Sequence, residues 1–486
     1  MRLSSADAAF LYAESASGPM HISSIAILDG EIPFDAVFEH FNSRMHLLPA
    51  YRRKLAQIPM NLAHPVWVDD PAFDLANHVQ HHALPEGISL DEAISTAVKL
   101  NEPMMDRSVP LWKAIMLSGV PGKTLMLHQT HHCMIDGASG VEVLTIMYDF
   151  ESQAEPVEAP KEAWQPEATP NPMQLFNTAL SENLQSLAAT NWAEQIPTPG
   201  STRQALTQRA AKVMSDFITK PVVTAPFNAA PVGPSRELAW RSVSFDDIRE
   251  IRRALGGTIN DVVLTVVSDA VATYLEDQGE TTTDQYMRIM CPVNVRTESQ
   301  KGALGNQVSA IFPVLPAWTM ATGQRLSTVI AELERIKQNQ DAQALTAMQS
   351  GPQPWPVALW PAQLVGTPLD PTALAAAVPP PVPPVLGARP PHIGYNLTCT
   401  NVPGPQVPMY LLGRPIESQI GLLILTGNVG FSVTILSYNK TLFFGMIAEP
   451  RLLPDVEKIA ARAAASFDEL LTLARERTNS LQMNQS

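Results

Sequence analysis

Three of the 11 histidines in this chain lie within five positions, as His128, His131 and His132. They are followed by Asp136 and Gly137, so one short stretch carries imidazoles, a carboxylate and a turn-forming glycine. Imidazoles can bind a metal, act as general bases or satisfy buried polar groups. The surrounding elements decide between these possibilities, because a helix and a strand place the side chains on different faces.

This stretch has the features of a strand that runs into a helix. Residues 123–127 have the apolar pattern of a strand, and Asp136-Gly137 is a turn signal. Ser139 and Glu142 have the spacing of a capping box before an apolar helical run. We therefore predict that the helix begins at this capping box.

A strand geometry gives the histidines different roles. Neighbouring side chains on a strand face opposite sides, so His132 shares a face with His128 while His131 faces the other way. His128 and His132 would lie about 13 Å apart, too far to share a metal ion. A continuous helix would instead align His128, His132 and Asp136 in a stripe suited to a metal. The Asp-Gly turn counts against that helix, so we predict one catalytic histidine, a structural neighbour and no metal.

No protein nucleophile accompanies the predicted catalytic histidine. The Gly-x-Ser-x-Gly sequence of a nucleophile elbow does not occur around Ser139. Cys133 follows His132 directly and is expected on the opposite face, which disfavours a Cys–His pair. A lone histidine suggests that the imidazole deprotonates a bound hydroxyl or amine. An acyl group would then pass directly to the acceptor, without a covalent acyl-enzyme.

Composition excludes some functions and favours one compartment. The chain has 33 basic and 47 acidic residues, which argues against nucleic-acid binding because phosphates need a basic surface. Its three cysteines have no paired spacing, so we expect no disulfide framework and a reducing, cytoplasmic location. The N-terminus has no signal-peptide pattern. Residues 418–439 are uncharged, but glycines interrupt them, so we predict two adjacent strands and no transmembrane helix.

Proline-rich segments divide the chain. Residues 151–172 are acidic and without periodicity, and the pattern from 174 to 217 is helical. A second biased segment, 342–386, has Asp370 as its only charged residue. It fits either a proline-rich connection or an apolar surface that touches lipid. The predicted parts are an N-terminal half at 1–150, a crossover with helices at 151–235 and a C-terminal half at 236–486.

Ordered sequence blocks resemble those of a known enzyme family. Residues 131–137 match HHxxxDG, a signature of coenzyme-A-dependent acyltransferases with the chloramphenicol-acetyltransferase fold, which nonribosomal peptide condensation domains share. The full series resembles the bacterial wax ester synthase/acyl-CoA:diacylglycerol acyltransferase family. Its further blocks are SSADAAFLYAES with Pro19-Met20-His21, Trp67-Val68-Asp69-Asp70 with Phe73-Asp74-Leu75, MDRSVPLW (Met105 to Trp112), Asn260-Asp261, Pro292-Val293-Asn294-Val295-Arg296, Gly305-Asn306, Asn401-Val402-Pro403-Gly404-Pro405 and Ser437-Tyr438.

The resemblance implies a fold and a reaction. The fold would be α/β, of the α+β type, with two similar halves, each a mixed sheet with flanking helices, joined by a long crossover around an active-site tunnel. The reaction would be transfer of a long-chain fatty acyl group from acyl-CoA to diacylglycerol or a long-chain alcohol, giving triacylglycerol or wax ester. No metal or bound cofactor is needed, because a thioester is already activated. The insoluble substrates imply peripheral contact with the inner face of the membrane or with lipid droplets.

Within this resemblance, His132 is the expected general base and His131 its structural neighbour. Asp136 typically braces the loop in this fold, often through an arginine, and Arg296 is the candidate partner. Gly137 permits the tight turn.

The block Asn260-Asp261 lies at a predicted helix start. Thr258 and Asp261 have the spacing of a cap, so capping alone could explain the block. In the functional interpretation, the Asn260 amide donates to the tetrahedral oxyanion while Asp261 buttresses the turn. Asn306 is a weaker candidate for the same pocket.

Two alternatives remain open for other residues and for the function. The basic run 52–54 is either a solvated surface or a site for coenzyme A phosphates, and Trp67 and Trp112 are more typical of a core. Rival functions are a condensation-like enzyme that uses another acceptor or a carrier-bound thioester, and a non-catalytic lipid-droplet surface protein. The intact HHxxxDG and the missing carrier domain favour the lipid acyltransferase.

Overall fold

The computed structural model describes residues 1–135, 137–189, 198, 200–294, 308–349, 392 and 394–483. Helices and strands are mixed in both halves of the chain. The α-helices are α1 (Ser5–Ala13), α2 (Phe34–Arg44), α3 (Leu90–Leu100), α4 (Gly137–Met147), α5 (Pro172–Ala189), α6 (Thr202–Thr219), α7 (Phe245–Leu255), α8 (Ile259–Asp277), α9 (Thr322–Gln338), α10 (Asp341–Gln349) and α11 (Val456–Met483). The strands are β1 (His21–Asp29), β2 (Arg53–Ala56), β3 (Val66–Asp69), β4 (Val79–Ala83), β5 (Trp112–Ser118), β6 (Lys123–His131), β7 (Glu237–Ser244), β8 (Tyr286–Asn294), β9 (Val308–Ile311), β10 (Val314–Pro316), β11 (Leu397–Pro403), β12 (Tyr410–Leu411), β13 (Arg414–Leu422), β14 (Phe431–Tyr438) and β15 (Thr441–Ala448).

The first sheet carries the histidine motif. Its strands are ordered β12-β13-β1-β6-β5-β4 in the described part of the chain. β6 pairs antiparallel with β1 on one side and β5 on the other, so it is a central strand. Leu125 and Leu127 pack on one face of β6 and Met126 packs on the other. Because both faces are covered, the strand has a continuous apolar sequence instead of an alternating one.

The second sheet forms most of the C-terminal half. Its order is β10-β8-β11-β14-β15-β7, with β9 paired to β8. β8, β11 and β14 are parallel, whereas β14, β15 and β7 are antiparallel. The core helix α8 is buried along most of its length and contacts α7, α9 and α11. Two mixed sheets with flanking helices confirm the predicted α/β fold.

One strand from the C-terminal half belongs to the first sheet. β13 pairs with β1, with Ile420 opposite Ile25, whereas β14 lies in the second sheet. Residues 418–439 thus contain two strands, as predicted, but the strands are not paired neighbours. Where the two sheets meet, a Cβ atom on Gly445 of β15 would lie 2.1 Å from the carbonyl oxygen of Gly421 in β13. The two sheets therefore approach each other so closely that only glycine fits.

The described part of the crossover contains two helices after an irregular stretch. Residues 151–171 form neither helix nor strand, in agreement with their proline-rich sequence. α5 docks on the first half through Ala179, which packs in a small cluster with Ile58 and Ala63. α6 contacts α10 in the second half. Most of the second proline-rich segment lies outside the described residues.

Among the described residues, no single helix is long and apolar enough to cross a membrane. α7 and α8 together have the length and composition of a membrane span, although they meet at a bend of 97°. Most of α8 is buried within the C-terminal half.

Candidate active site

The histidine motif lies where β6 ends and α4 begins. β6 ends at His131, a turn follows at 132–134, and α4 starts at Gly137. The predicted capping box of Ser139 and Glu142 is wrong, because α4 begins two residues before Ser139 and encloses it in its first turn. An N-cap residue must precede the helix, with extended backbone angles, so Ser139 cannot serve as one.

The strand geometry of β6 excludes the helical stripe of metal ligands. His131 lies on the face that also carries Leu127, whereas His128 lies on the other face. The His128 ring is stacked near Phe41, and its Nε2 atom lies 2.6 Å from the Tyr148 hydroxyl. Burial lowers the pKa of His128 to about 4, so this ring is neutral at physiological pH. Across the described ranges, no group of three or more His, Cys, Asp or Glu side chains is placed to hold a metal ion.

The His131 ring is enclosed in the protein. Its side chain is fully buried, and its Nδ1 atom accepts a hydrogen bond from the Cys133 amide at 3.1 Å. In the neutral ring the proton is then on Nε2. This atom faces Oε1 of Glu14 at 3.4 Å, longer than an ordinary hydrogen bond. His131 therefore has the contacts of a residue that fixes the turn.

The Glu14 carboxylate connects several parts of this turn. It accepts the Met20 amide at 3.0 Å and two hydrogen bonds from Arg107, at 2.7 and 3.1 Å. Burial alone would raise the pKa of Glu14, but the contacts with His131, the Met20 amide and Arg107 outweigh it and lower the pKa to about 2. The Glu14 side chain is fully buried and is nevertheless held as a carboxylate.

Sequence reasoning did not assign roles to Glu14 and Arg107. Both lie in blocks that the resemblance singled out, SSADAAFLYAES and MDRSVPLW, but the blocks are far apart in the chain. The available signal was an acidic residue that ends an apolar helical segment and an arginine in a second block of the same family. The fold brings them together because α1 and the loop before β5 both pack at the carboxyl end of β6.

His132 is the half-buried histidine of the pair. Its backbone amide donates to the Met20 carbonyl at 2.8 Å, which ties the turn to the start of β1. Its ring stacks on the Phe10 ring of α1, with centroids 3.9 Å apart and an angle of 3° between the planes. The backbone and one face of the ring are thus both held by the N-terminal segment.

Blocks of the second half meet at one edge of its sheet. The carboxyl ends of the parallel strands β11 and β14 carry Asn401-Val402-Pro403-Gly404 and Ser437-Tyr438. The Gly404 amide donates to the Ser437 carbonyl at 2.9 Å, and a Cβ atom on Gly404 would lie 2.4 Å from that oxygen. α4, which begins just after the histidine turn, contacts β11. The helix that follows the histidine motif is therefore in contact with the second half.

The block at 260–261 begins α8. The Thr258 hydroxyl accepts the Asp261 amide at 3.3 Å, and the Asp261 carboxylate accepts the Thr258 amide at 2.5 Å, so the predicted cap is present. Asn260 is half-buried in the first turn. Because a short loop at 278–285 returns the chain from α8 into β8, the start of α8 lies toward the carboxyl end of β8. Asn260 as an oxyanion donor stays a prediction.

The basic run at 52–54 is occupied by partners within the protein. Arg53 pairs with Asp69 at 3.1 Å and Lys54 with Asp70 at 2.8 Å, while Arg52 lies over the Trp164 ring. These contacts favour a structural role over a phosphate site.

Both tryptophans singled out from the sequence pack in the first half. Trp112 is buried, stacks on His78 and donates its indole N–H to the Tyr51 carbonyl at 2.7 Å. Trp67 packs against the same core. Both positions are those of core residues, as predicted.

Three predicted site residues lie outside the described residues: Asp136, Arg296 and Asn306. The pairing of Asp136 with Arg296 therefore stays a prediction. Gly137 is the first residue of α4.

Solved structures define the class of fold. The chain is similar to a wax ester synthase/diacylglycerol acyltransferase from Marinobacter aquaeolei VT8, with a TM-score of 0.62 and 22% identity over 98% of this chain and 100% of that one. It is also similar to the starter condensation domain of rhizomide synthetase RzmA, in a mutant bound to C8-CoA, with a TM-score of 0.56 and 15% identity over 97% of this chain and 94% of that one. The fold is thus that of two-halved acyltransferases and condensation domains.

Sequence profiles then define the family. The wax ester synthase/diacylglycerol acyltransferase catalytic domain matches residues 3–263, and the C-terminal domain of the same family matches residues 304–471. Relatives in Mycobacterium tuberculosis H37Rv include the putative diacylglycerol O-acyltransferase Rv1760, 28% identical over 97% of this chain and 90% of the relative. The probable diacylglycerol O-acyltransferase tgs1 is 26% identical over 98% and 96%. The chain belongs to this family and is an acyltransferase, as predicted.

Proposed function

We propose that the chain transfers a long-chain fatty acyl group from acyl-CoA to the hydroxyl of diacylglycerol or of a long-chain alcohol, with His132 as the general base. The product is triacylglycerol or wax ester. The observation that carries the assignment of the base is the contrast within the histidine pair. The His131 ring is fully buried among protein partners, whereas the His132 ring is half-buried and stacks on Phe10 at the turn before α4.

The reaction needs one proton transfer to His132 and one proton transfer from it. The His132 imidazole takes the proton of the acceptor hydroxyl as its oxygen attacks the thioester carbonyl. The resulting oxyanion accepts hydrogen bonds, for which the Asn260 amide and the start of α8 are the proposed donors. Collapse expels the coenzyme A thiolate, which takes the proton from the His132 imidazolium. An ester and free coenzyme A leave, and no cofactor or metal takes part in the proposed steps.

Direct transfer is favoured because the adjacent thiol is a poor nucleophile. Cys133 is buried in the core of the first half. Burial raises the pKa of its thiol well above the ordinary value, so the thiolate is scarce at neutral pH. This supports a mechanism without an acyl-enzyme.

Purified protein tests the proposal with palmitoyl-CoA and either hexadecanol or diolein, offered separately and in competition. We expect ester formation with at least one acceptor, and a loss of about 10²–10⁴-fold in kcat for His132→Ala, the range typical of a positioned base. Circular dichroism and thermal unfolding serve as controls for folding. Full activity in the folded His132→Ala variant would overturn the base assignment. Turnover only with carrier-bound thioesters would instead indicate a condensation-like enzyme.

We also propose that the protein contacts the inner face of the membrane or the surface of lipid droplets from the cytoplasm. Exposed apolar side chains on one side of the first half support this. Met60 is 80% exposed and Leu184 of α5 is 53% exposed, and the Asn183 amide bonds to the carbonyl of Leu62, so these two regions adjoin. A surface of this kind can dock on lipid.

Vesicle flotation tests the lipid contact. The double variant Met60→Ser/Leu184→Ser should float less with phosphatidylcholine vesicles that contain diolein, because less apolar area enters the lipid. Met214→Ser, on the exposed side of α6, is the matched control, since Met214 is also exposed. Equal flotation of the double variant and the unaltered protein would count against this surface.

A further inference from the structure

We propose that Phe10 is a positioning residue for His132: its ring fixes the plane of the imidazole and stabilises the protonated imidazole that forms during transfer. The inference rests on the proposed function, in which His132 is the base. It assigns a role in the reaction to the first helix of the chain.

The observation is the parallel contact between the two rings. Their centroids lie 3.9 Å apart and their planes differ by 3°. Phe10 therefore covers one face of the imidazole, and rotation of that ring about its χ2 bond would collide with Phe10. The acceptor hydroxyl must approach a ring nitrogen in the imidazole plane, which is the direction that proton transfer needs.

The same contact stabilises positive charge on the imidazole. The face of an aromatic ring carries negative potential and attracts a cation within about 6 Å of its centroid. The imidazole is neutral before transfer and cationic afterwards, so Phe10 stabilises the later state more than the earlier one. Since only interactions that strengthen toward the transition state speed the reaction, this difference contributes to kcat.

α1 is held firmly enough for Phe10 to act in this way. Ser4 caps the helix by accepting the Asp7 amide at 3.1 Å, and Ala8 and Leu11 are buried in the core of the first half. At the other end, Arg107 donates to the Leu11 carbonyl at 2.8 Å while it also pairs with Glu14. A cation on the last carbonyls of a helix fixes its C-terminal end.

Two substitutions test the role of Phe10 in turnover. Phe10→Leu removes the aromatic face and should lower kcat by about 3- to 30-fold, the range of a partly desolvated cation–π contact. In a plot of kcat against pH, the acid limb should move to lower pH. The reason is that the pKa of His132 falls when the protonated ring loses its contact with Phe10. The charged groups that act on the adjacent Cys133 thiol are Asp7, Arg107 and Glu14, and they are unchanged in both variants. Phe10→Tyr should restore both kcat and the profile.

A matched control comes from a second stacked pair. Phe34 stacks on His81 with centroids 5.1 Å apart and an interplanar angle of 12°, and His81 is exposed in β4. Phe34→Leu should leave kcat and the acid limb unchanged. An equal loss in both leucine variants would mean a general loss of packing and would overturn the proposal.

A readout independent of turnover separates this inference from the proposed function. The titration of His132 is followed by NMR in protein labelled with 13C-histidine, and its signal is assigned through His132→Gln. Phe10→Leu should lower the pKa of His132 relative to the unaltered protein. An unchanged pKa with an unchanged kcat profile would refute the role of Phe10. Absence of acyl transfer by the unaltered protein would refute the proposed function, while the titration would still test the ring contact.

Discussion

At the residue scale, adjacent imidazoles meet two environments because the end of β6 lies between them. His131 is bonded to the Cys133 amide and faces Glu14, whereas His132 lies half-buried against Phe10. Alternation along a strand predicted different surroundings for the two rings, although His132 lies in the turn after β6 and not on the strand itself. Glu14 could not be predicted in the same way, because its partners Met20 and Arg107 come from other elements.

The Glu14 carboxylate should make stability depend on pH. Its pKa is about 2 in the folded protein against an ordinary value of 4.5, so it stabilises the fold above pH 4.5 and this contribution is lost as pH falls toward 2. The shift corresponds to about 3 kcal/mol at neutral pH, of which about 2 kcal/mol should be lost by pH 3. Urea unfolding at several pH values measures this loss.

Glu14→Gln provides the comparison for that measurement. The amide cannot titrate, so the difference in unfolding free energy between the unaltered protein and the variant should shrink as pH falls from 5 to 3. Glu86→Gln is the control, because the Glu86 side chain is exposed. A difference that is constant over this range would show that Glu14 contributes through packing and not through its charge.

At the element scale, two helix starts share a local pattern and differ in structure. Thr258 and Asp261 form a capping box at α8, while Ser139 lies inside α4 despite the same spacing to Glu142. The sequence predicted both caps with the same rule. The local pattern does not distinguish them; α4 also contacts α2 and β11.

Substitutions at two neighbouring residues at the start of α8 should affect the stability of the fold and the rate of the reaction separately. Thr258→Ala removes the cap and should lower the unfolding free energy by about 0.5–2 kcal/mol. Asn260→Ala should leave that free energy within about 0.5 kcal/mol but lower kcat by about 10²–10³-fold if its amide donates to the oxyanion. Unfolding curves measure the free energy of both variants, and steady-state kinetics measure their kcat. A normal kcat in Asn260→Ala would leave this block with a capping role alone.

At the scale of the whole molecule, the sequence predicted the class of fold and two strands within residues 418–439. It did not predict that β13 joins the first sheet, because strand pairing is set by contacts far apart in the chain. The segment from 418 to 439 shows the reason. Its uncharged sequence and its glycines indicate two strands and a turn, but each strand finds its partners in a different sheet.

The close approach of the two sheets should be sensitive to a single methyl group. Gly445→Ala would place Cβ 2.1 Å from the Gly421 carbonyl oxygen, so the sheets must separate, at a cost of about 3 kcal/mol. Gly323→Ala in α9 is the control, because its Cβ would meet only Leu473, at 3.4 Å. That change should be neutral or slightly stabilising. Equal thermal stability of the two variants would contradict the contact.

The position of β13 in the first sheet affects how the protein folds during its synthesis. During synthesis β1 and β6 leave the ribosome well before β13, which must lie beside β1 but begins only at Arg414. Until then β1 is an open edge, free to pair with other nascent chains. A fragment that stops after the crossover should therefore aggregate, and chaperone supply should limit the yield of full-length protein in a recombinant host.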